Sequence, residues 1–588
     1  MELLQTKQQT RRQTALRWLT AGVLAAVCML LTFALYHATY LNNDDTNILY
    51  ALAGYRTETP EITHRFINIA LGALISGLYA VLPAVPWWTV YQLVMLWLSA
   101  TVIGACLLKC THRAGLPHWT GIAAFLLLYW TMLVYTVVWV AFTLTAAMLG
   151  AAAVALLLTS DFGQETRLTG WVNATGCLLL VLLCFFTRNS SGYSMMCFFG
   201  AALLYRFLCA RGTRRLRVAL LAAAVCLTAA GAVTLNNYGI RAANPAEYPA
   251  FEQARGEFID YPHITYSEDP AFFERIGWDQ SIYDLADNLC YLDERVNAQT
   301  MTLVAQTPGS EATGLGSRLK NAVAYGITYF RTSGVSQYML VVPVLLTLAL
   351  AVLFFRGGRR AGKELFIGLA TAAGAFLLCF YLCFAGRFPV RTFMLIAIPA
   401  ALTELLLCCK TAVSGAGQRQ PKKSHRMRNI LLLAAAGICL LWSLAMTQKA
   451  LLVYDKTDRI AENAAAEAYV IAHPENIYIT DVTSVENIAL FTVYPDSQKR
   501  PVNLIDWGGT AMYSGWKEKQ LAVNGLEKLS PDLFRQQNCY FLTADSNNKL
   551  EILDAYLQRH AGATGYELVD RITKDLSVYR FVFPGEGE

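Results

Sequence analysis

Charged residues are scarce in this sequence, and the signatures of soluble enzymes are missing. Asp, Glu, Lys and Arg make up 15% of its 588 residues, whereas a soluble globular protein carries about 25%. This deficit excludes a soluble enzyme, a disordered protein and a fibrous protein. The chain also lacks a P-loop, a G-x-G-x-x-G turn after a strand, H-E-x-x-H and G-x-S-x-G. An ATP-driven pump is therefore disfavoured.

Long apolar blocks are abundant instead, because hydrophobic residues make up 55% of the chain. They are separated by short basic clusters, which is the pattern of a polytopic helical membrane protein. A further apolar stretch, 66–82, is short and ends at Pro83 and Pro86, so we expect it to be interfacial or re-entrant. The sequence predicts eleven spans, at 18–40, 87–108, 119–138, 140–158, 170–187, 193–209, 218–236, 336–355, 365–385, 392–409 and 429–447.

The distribution of charge predicts the orientation of these spans. Basic clusters at 211–217, 356–363 and 422–428 lie in short connections, and the N-terminal arginines precede the first span. By the positive-inside rule they are cytoplasmic, and no nucleic-acid partner is needed to explain the net charge of +6. Two long polar stretches, 237–335 and 448–588, hold 33 of the 42 acidic residues and fall outside. We predict a multi-pass protein of the cell membrane with a cytoplasmic N-terminus.

The same pattern predicts two domains. Residues 1–447 form a membrane domain with outer loops at 41–86 and 237–335. Residues 448–588 form a small extracytoplasmic α/β domain, in which strand-like segments alternate with helical ones. The strand-like segments are 476–481, 539–545 and 576–583, and the helical ones are 458–472 and 548–560.

Acidic and basic residues just outside the membrane suggest a chemistry. Asp44 and Asp45 follow the first span, and either could cap a short helix that ends at Gly54. A carboxylate there could take a proton from an acceptor hydroxyl that attacks a polyprenyl-phosphate sugar, with inversion at the anomeric carbon. The leaving phosphate needs cations. Those predicted at the outer face are Arg56, His64, Arg65, Arg387 and Arg391, the last two in the short turn GRFPVR at 386–391.

The order of these parts resembles the GT-C superfamily of integral membrane glycosyltransferases, which includes protein O-mannosyltransferases and aminoarabinose transferases. The shared features are the acidic pair in the first outer loop, the juxtamembrane helices, the long loop after span seven and the outer C-terminal domain. The resemblance implies that Asp44 or Asp45 is the catalytic base. The long loop is similar to that of bacterial multi-pass proteins with an FxxAR…DYP pattern, here Phe251, Ala254, Arg255, Asp260, Tyr261 and Pro262.

Each signal has a simpler explanation beside the functional one. The acidic pair could only cap a helix, the arginines at 387 and 391 could anchor lipid headgroups, and His64 could be an interfacial hydrogen-bonding residue. Arg255 and Asp260 could form a salt bridge rather than bind a substrate together with Tyr261. The carboxylates allow a divalent metal without requiring it.

The preferred interpretation is a glycosyltransferase with a polyprenyl-phosphate sugar donor and a glycan, lipid or protein acceptor. A transporter or flippase of a lipid-linked glycan and a non-catalytic membrane scaffold are the alternatives.

Overall fold

The computed structural model describes residues 2–160, 167–307, 314–357, 361–415, 426–453, 456–485 and 487–584. Across these ranges it has eleven helical segments that are long and apolar enough to cross a membrane, and each overlaps one predicted span. The chain is therefore a multi-pass helical membrane protein, as predicted.

In the membrane part, spans alternate with shorter helices and strands. In chain order they are α1 (Glu2–Leu35), β1 (Thr39–Tyr40), α2 (Asn43–Ala53), α3 (Ile69–Val81), α4 (Trp87–Arg113), α5 (His118–Leu128), α6 (Val134–Val138), β2 (Trp139–Val140), α7 (Phe142–Thr159), α8 (Arg167–Thr187), α9 (Asn189–Cys209), α10 (Thr213–Ala243), α11 (Tyr248–Asp260), α12 (Pro270–Arg275), α13 (Gln280–Asp287), α14 (Ala298–Gln306), α15 (Leu315–Thr332), α16 (Gly334–Gly357), α17 (Gly362–Phe384), α18 (Val390–Gly415) and α19 (Arg426–Val453).

The helix α7 lies at the centre of the membrane part. Its side chains are all buried, and it packs against α4, α8, α9 and α18. A two-residue parallel pairing of β1 with β2 joins the end of the first span to the residues just before α7. This pairing brings the start of α2 close to the start of α7, where the predicted acidic pair lies.

The apolar stretch at 66–82 forms α3, a helix of 13 residues. At about 1.5 Å per residue it is roughly 20 Å long, too short for a hydrocarbon core of about 30 Å. It contacts α2 and α10, and a side chain on Gly72 would collide with the backbone of Ile62. The helix therefore packs closely against the first outer loop, as expected for a non-spanning element.

The C-terminal region is a small α/β unit. Its elements are α20 (Thr457–Ala472), β3 (Ile477–Thr480), β4 (Leu504–Asp506), α21 (Gly515–Val523), β5 (Cys539–Ala544), α22 (Lys549–His560), β6 (Gly565–Arg571) and β7 (Leu576–Val582). The strand order is β4-β3-β5-β7-β6, with β4, β3 and β5 parallel and the last two antiparallel. All three predicted strands and both predicted helices are present, whereas β4, β6 and α21 were not predicted.

The outer loops and the C-terminal region share their apolar cores. Helices α11 to α14 of the long loop pack with the sheet in one cluster, which includes Trp278 and Trp507. A second cluster joins α2 and α3 to Ile488, Leu490 and Trp516. The predicted domain boundary at 447/448 stays a prediction, but the first loop, the long loop and the C-terminal region are packed together.

Candidate active site

The first outer loop presents its two carboxylates in the first turn of α2. The N-cap is Asn42, whose backbone is extended. The prediction that Asp44 or Asp45 caps the helix is therefore wrong. Acidic side chains are favourable in a first turn because they face the positive end of the helix dipole. The helix ends at Gly54, which adopts a left-handed conformation with φ 67°. Neighbouring residues on a helix point in different directions, and the two carboxylates have different surroundings.

Asp45 points into the protein and is fully buried. Its Oδ1 accepts hydrogen bonds from Nε2 of Gln92 at 3.0 Å and from the backbone N–H of Phe142 at 3.1 Å. The Gln92 amide oxygen accepts in turn from Thr145 at 3.1 Å. Burial, reinforced by Asp44, raises the pKa of Asp45 to about 8. Asp45 thus joins α2 to α4 and to the first residue of α7, which is a positioning role.

We expect the stability of the protein to depend on pH through Asp45. The folded pKa of about 8 exceeds the ordinary aspartate pKa of 3.8, so folding favours the protonated form. This contribution is complete below about pH 4 and is lost as the pH rises towards 8. Thermal melts at pH 5 and pH 8 should show a larger loss of stability for the wild type than for Asp45→Asn, which cannot ionise. Equal losses in both proteins would contradict this assignment.

Asp44 lies on the accessible side of the same turn. Its side chain is 19% exposed and lies 3.5 Å from Nη2 of Arg391. Asn42 donates a hydrogen bond to Oδ2 at 2.7 Å. This carboxylate is therefore held in place by two neighbours and remains open to a ligand.

Three arginines gather near Asp44, one of them unforeseen. Arg188, in the turn between α8 and α9, donates to Thr143 and lies over the ring of Phe142 at 4.6 Å. Burial and then the nearby Arg391 lower the pKa of Arg188 to about 10, while Asp44 raises it. Arg387 also lowers the pKa of Arg188. Arg391 is thus brought together with Asp44, and Arg387 is close enough to Arg188 for their charges to interact.

The long loop contacts the same turn through its DYP segment. Asp260 forms an ion pair with Arg387, and a Cβ on Gly386 would lie only 2.7 Å from the ring of Pro262. Gly386 has φ 74°, so both its backbone and its contact require glycine. Tyr261, between them, is 46% exposed. Asp260 therefore holds the arginine turn, and Tyr261 is the accessible residue of the segment.

Arg255 lies beside this segment in a buried ion cluster. It donates to both oxygens of Glu252, at 2.9 and 2.6 Å, and Glu252 also pairs with Arg65. Arg255 is 4% exposed, so it acts through Glu252 on the position of Arg65. Burial, followed by Arg255, lowers the pKa of Arg65 to about 10, whereas Asp44 raises it.

His64 is buried next to Arg65. Its Nδ1 accepts the backbone N–H of Phe66 at 3.4 Å, and its ring contacts the Phe66 ring at 5.4 Å. Burial and the charge of Arg65 lower the pKa of His64 to about 3. The histidine is neutral at physiological pH, so it can donate a hydrogen bond to a phosphate but supplies no positive charge.

Arg56 lies apart from the other predicted residues. It is fully buried and pairs with Asp506 at 2.8 Å, and its guanidinium lies over the ring of Tyr50 at 4.3 Å. Asp506 ends β4, so the ion pair joins the first outer loop to the C-terminal sheet. Arg56 therefore has a structural role, and the prediction that it binds the donor phosphate is not supported by its position.

Breaking this ion pair should destabilise the contact between the first loop and the C-terminal sheet. Arg56→Met leaves the Asp506 carboxylate buried without its partner, which typically costs about 3–5 kcal/mol. Lys499→Met is the matched control, because its ion pair with Asp496 is exposed and worth about 0–1 kcal/mol. Thermal unfolding of the detergent-purified variants measures both. Equal melting temperatures for the two variants would show that the Arg56 pair is not structural.

Three residues of the site, Arg188, Gln92 and Glu252, were not predicted from the sequence. Arg188 had a usable signal, because it lies in the predicted outer turn between spans five and six, as Arg387 does between spans nine and ten. Gln92 and Glu252 had no signal in the sequence. Gln92 is an uncharged residue within a span and Glu252 is one of many acidic residues in a loop, and each gains its role only through partners that are distant in the chain.

Among the described residues, no group of three or more His, Cys, Asp or Glu side chains could hold a metal ion.

The solved structures that are similar to this chain include two of ArnT from Cupriavidus metallidurans. The apo structure has 12% identity and a TM-score of 0.40 over 96% of this chain and 98% of its own. The structure bound to undecaprenyl phosphate has 13% identity and a TM-score of 0.39 over 96% of this chain and 97% of its own. No family model matches the sequence, and no curated protein matches it significantly.

Proposed function

We propose that this protein is an inverting glycosyltransferase that moves a sugar from a polyprenyl-phosphate donor to an extracytoplasmic acceptor. The observation that supports it most is the contact between the accessible carboxylate of Asp44 and Arg391, at 3.5 Å, with two further arginines close by. The reaction needs a base on one face of the anomeric carbon and a phosphate-binding group on the opposite face, both within reach of one sugar ring.

Asp44 is the proposed base. The acceptor hydroxyl oxygen attacks the anomeric carbon, its proton passes to the Asp44 carboxylate, and the bond from the anomeric carbon to the phosphate oxygen breaks. Asn42 and Arg391 hold the carboxylate from two directions, which fixes its position before the acceptor arrives. Fixed geometry of this kind is a large part of the rate advantage of an enzyme.

The arginines at 188, 387 and 391 are the proposed ligands of the leaving phosphate, which departs with the bonding electron pair. Guanidinium groups suit this task because they present paired donors to phosphate oxygens and keep their charge. Arg188 and Arg387 are already oriented, by Thr143 and by Asp260 respectively. Arg391 contacts the base and is therefore the ligand closest to the reacting atoms.

The site lies at the outer end of the spans in this proposal. Arg188 immediately precedes α9, and the exposed basic residues 211–217 follow the other end of this helix, about 30 Å away at 1.5 Å per residue. If the basic residues are cytoplasmic, then Asp44, the long loop and the C-terminal domain are extracytoplasmic. Alkaline phosphatase fused after residue 588 should be active, and the same fusion after residue 212 should be inactive; the reverse pattern would exclude this orientation.

A transfer assay tests the activity itself. The purified chain in proteoliposomes should release polyprenyl phosphate from one member of a panel of radiolabelled polyprenyl-phosphate sugars when acceptor lipids or glycans are present. Binding of undecaprenyl phosphate to the same preparation, measured by native mass spectrometry, is the companion experiment. Neither release nor binding would be expected of a scaffold, and ATP-independent movement of the intact donor across the bilayer would indicate a flippase.

A further inference from the structure

The C-terminal sheet meets the first outer loop at the carboxyl ends of two neighbouring parallel strands. Arg56 pairs with Asp506, the last residue of β4, and also donates to the backbone oxygen of Val485, at 3.4 Å, in the segment after β3. Asn43 donates to the backbone oxygen of Val482, at 3.1 Å, in the same segment. The carboxyl ends of parallel strands are the usual place for a ligand in an α/β sheet. Here the first outer loop occupies that place.

Further contacts with the C-terminal region follow along α2. Tyr50 donates to the Glu467 carboxylate of α20, and the Arg500 guanidinium donates to the backbone oxygen of Gly54, at 3.3 Å. We call all these contacts together the α2 clamp. The helix that carries the proposed base is therefore held by the C-terminal region from its first residue to its end.

Lys456 holds the chain immediately before the acidic pair. It precedes α20, and its Nζ donates to the backbone oxygens of Tyr40 and Leu41, at 3.1 and 2.9 Å. These two residues lead directly into Asn42, the N-cap of α2. A third bond, to Oδ1 of Asn487 at 3.3 Å, fixes the ammonium group to the C-terminal region itself.

The surroundings of Lys456 connect it to the proposed base. Burial, followed by Arg459, lowers the pKa of Lys456 to about 8, whereas the nearby Asp45 raises it. The backbone that Lys456 holds ends at Asn42, and the Asn42 amide donates to Asp44 at 2.7 Å. Loss of the ammonium group would therefore release the chain segment that sets the position of the Asp44 carboxylate.

From these contacts we infer that the C-terminal region is an obligatory part of the transfer site, and that Lys456 is the positioning residue through which it holds Asp44. The inference rests on the proposed function for the role of Asp44 as a base, but the hold of Lys456 on the first outer loop can be measured without turnover. Lys456 touches neither donor nor acceptor, because its three bonds are all made to the protein.

The first measurement is hydrogen exchange of the full-length protein in nanodiscs, followed in the peptides that cover residues 39–53. Lys456→Met removes the ammonium group and keeps an unbranched side chain, so exchange in these peptides should become about tenfold faster or more. Peptides from α22 should keep their wild-type rate. Lys574→Met is the matched control, because Lys574 is exposed in the turn between β6 and β7, and it should leave both sets of peptides unchanged.

The second measurement is the kcat for release of polyprenyl phosphate. Lys456→Met should lower kcat by roughly 10-fold to 100-fold, because a misplacement of about 1 Å can cost that much. The affinity for undecaprenyl phosphate should stay at the wild-type value, since the arginines of the site are untouched. In the Asp44→Asn background the same substitution should have little further effect, because the base that it positions is already absent.

A merely structural role of Lys456 predicts a different result, the same fold-loss of kcat in both backgrounds. That result, or unchanged exchange at 39–53 in folded Lys456→Met, would overturn the inference. If Lys456→Met does not fold, Asn43→Ala removes the bond to Val482 and is judged by the same criteria. Faster exchange in Lys456→Met, together with no transfer by the wild type, would count against the proposed function and not against the α2 clamp.

Discussion

Asp44→Asn is expected to lower the rate of sugar transfer by about 10²–10⁴-fold, the usual contribution of a general base. The amide has the shape of the carboxylate and can still accept the hydrogen bond from Asn42, but it cannot take a proton from the acceptor. Donor binding should change little, so the loss should appear in kcat. The assay is the release of polyprenyl phosphate by protein of equal purity and equal melting temperature.

Asp45→Asn is the matched control, since it makes the same chemical change one residue along the helix. The buried Asp45 carboxyl has its pKa raised to about 8, so at neutral pH it is mostly protonated and resembles an amide in charge. Its Oδ1 contacts to Gln92 and Phe142 can be made by an amide oxygen. This variant should keep most of its activity at pH 7, and a larger loss for Asp45→Asn than for Asp44→Asn would assign the roles the other way round.

Arg391→Met is expected to slow transfer by about 10²–10³-fold, the size of effect seen when one stabilising donor is removed from a developing negative charge. Methionine preserves much of the side-chain length and apolar contact, so the change removes mainly the positive charge and the donors. Both kcat and the affinity for undecaprenyl phosphate should fall, because the arginine contacts the phosphate before and during the reaction. Kinetics with a labelled donor measure kcat, and equilibrium binding measures the affinity for undecaprenyl phosphate.

Two further variants serve as controls for Arg391→Met. Arg391→Lys keeps the charge but loses the paired donors, so its activity should lie between those of the wild type and the methionine variant. Arg275→Met removes an exposed arginine from the surface of α12 and should leave transfer unchanged. If the lysine variant were as inactive as the methionine variant, geometry rather than charge would be the main contribution of Arg391.

Much of the framework follows from local pattern. Each span can be predicted from a continuous apolar run in the sequence. Gly54 predicts the end of α2, because few other residues adopt a left-handed conformation. The non-spanning helix α3 is recognisable from its length alone. The strands at 477–480, 539–544 and 576–582 are rich in β-branched and aromatic residues, which are enriched in strands.

The site itself depends on contacts between residues far apart in the chain. The burial of Asp45 results from Gln92 on α4 and the start of α7, and no local signal at residues 44 and 45 distinguishes the buried carboxylate from the accessible one. Arg56 and Arg65 look alike in the first outer loop, yet one pairs with Asp506 and the other with Glu252. Sequence could propose a set of outer cations, but only the tertiary structure divides them into structural and accessible ones.

The most direct test is an experimental structure of the protein with undecaprenyl phosphate bound. The proposal predicts the phosphate within hydrogen-bond distance, about 2.7–3.2 Å, of the guanidinium of Arg391, with the Asp44 carboxylate facing the same space. A phosphate bound at the opposite end of the spans, or one separated from Asp44 by packed protein, would contradict the account.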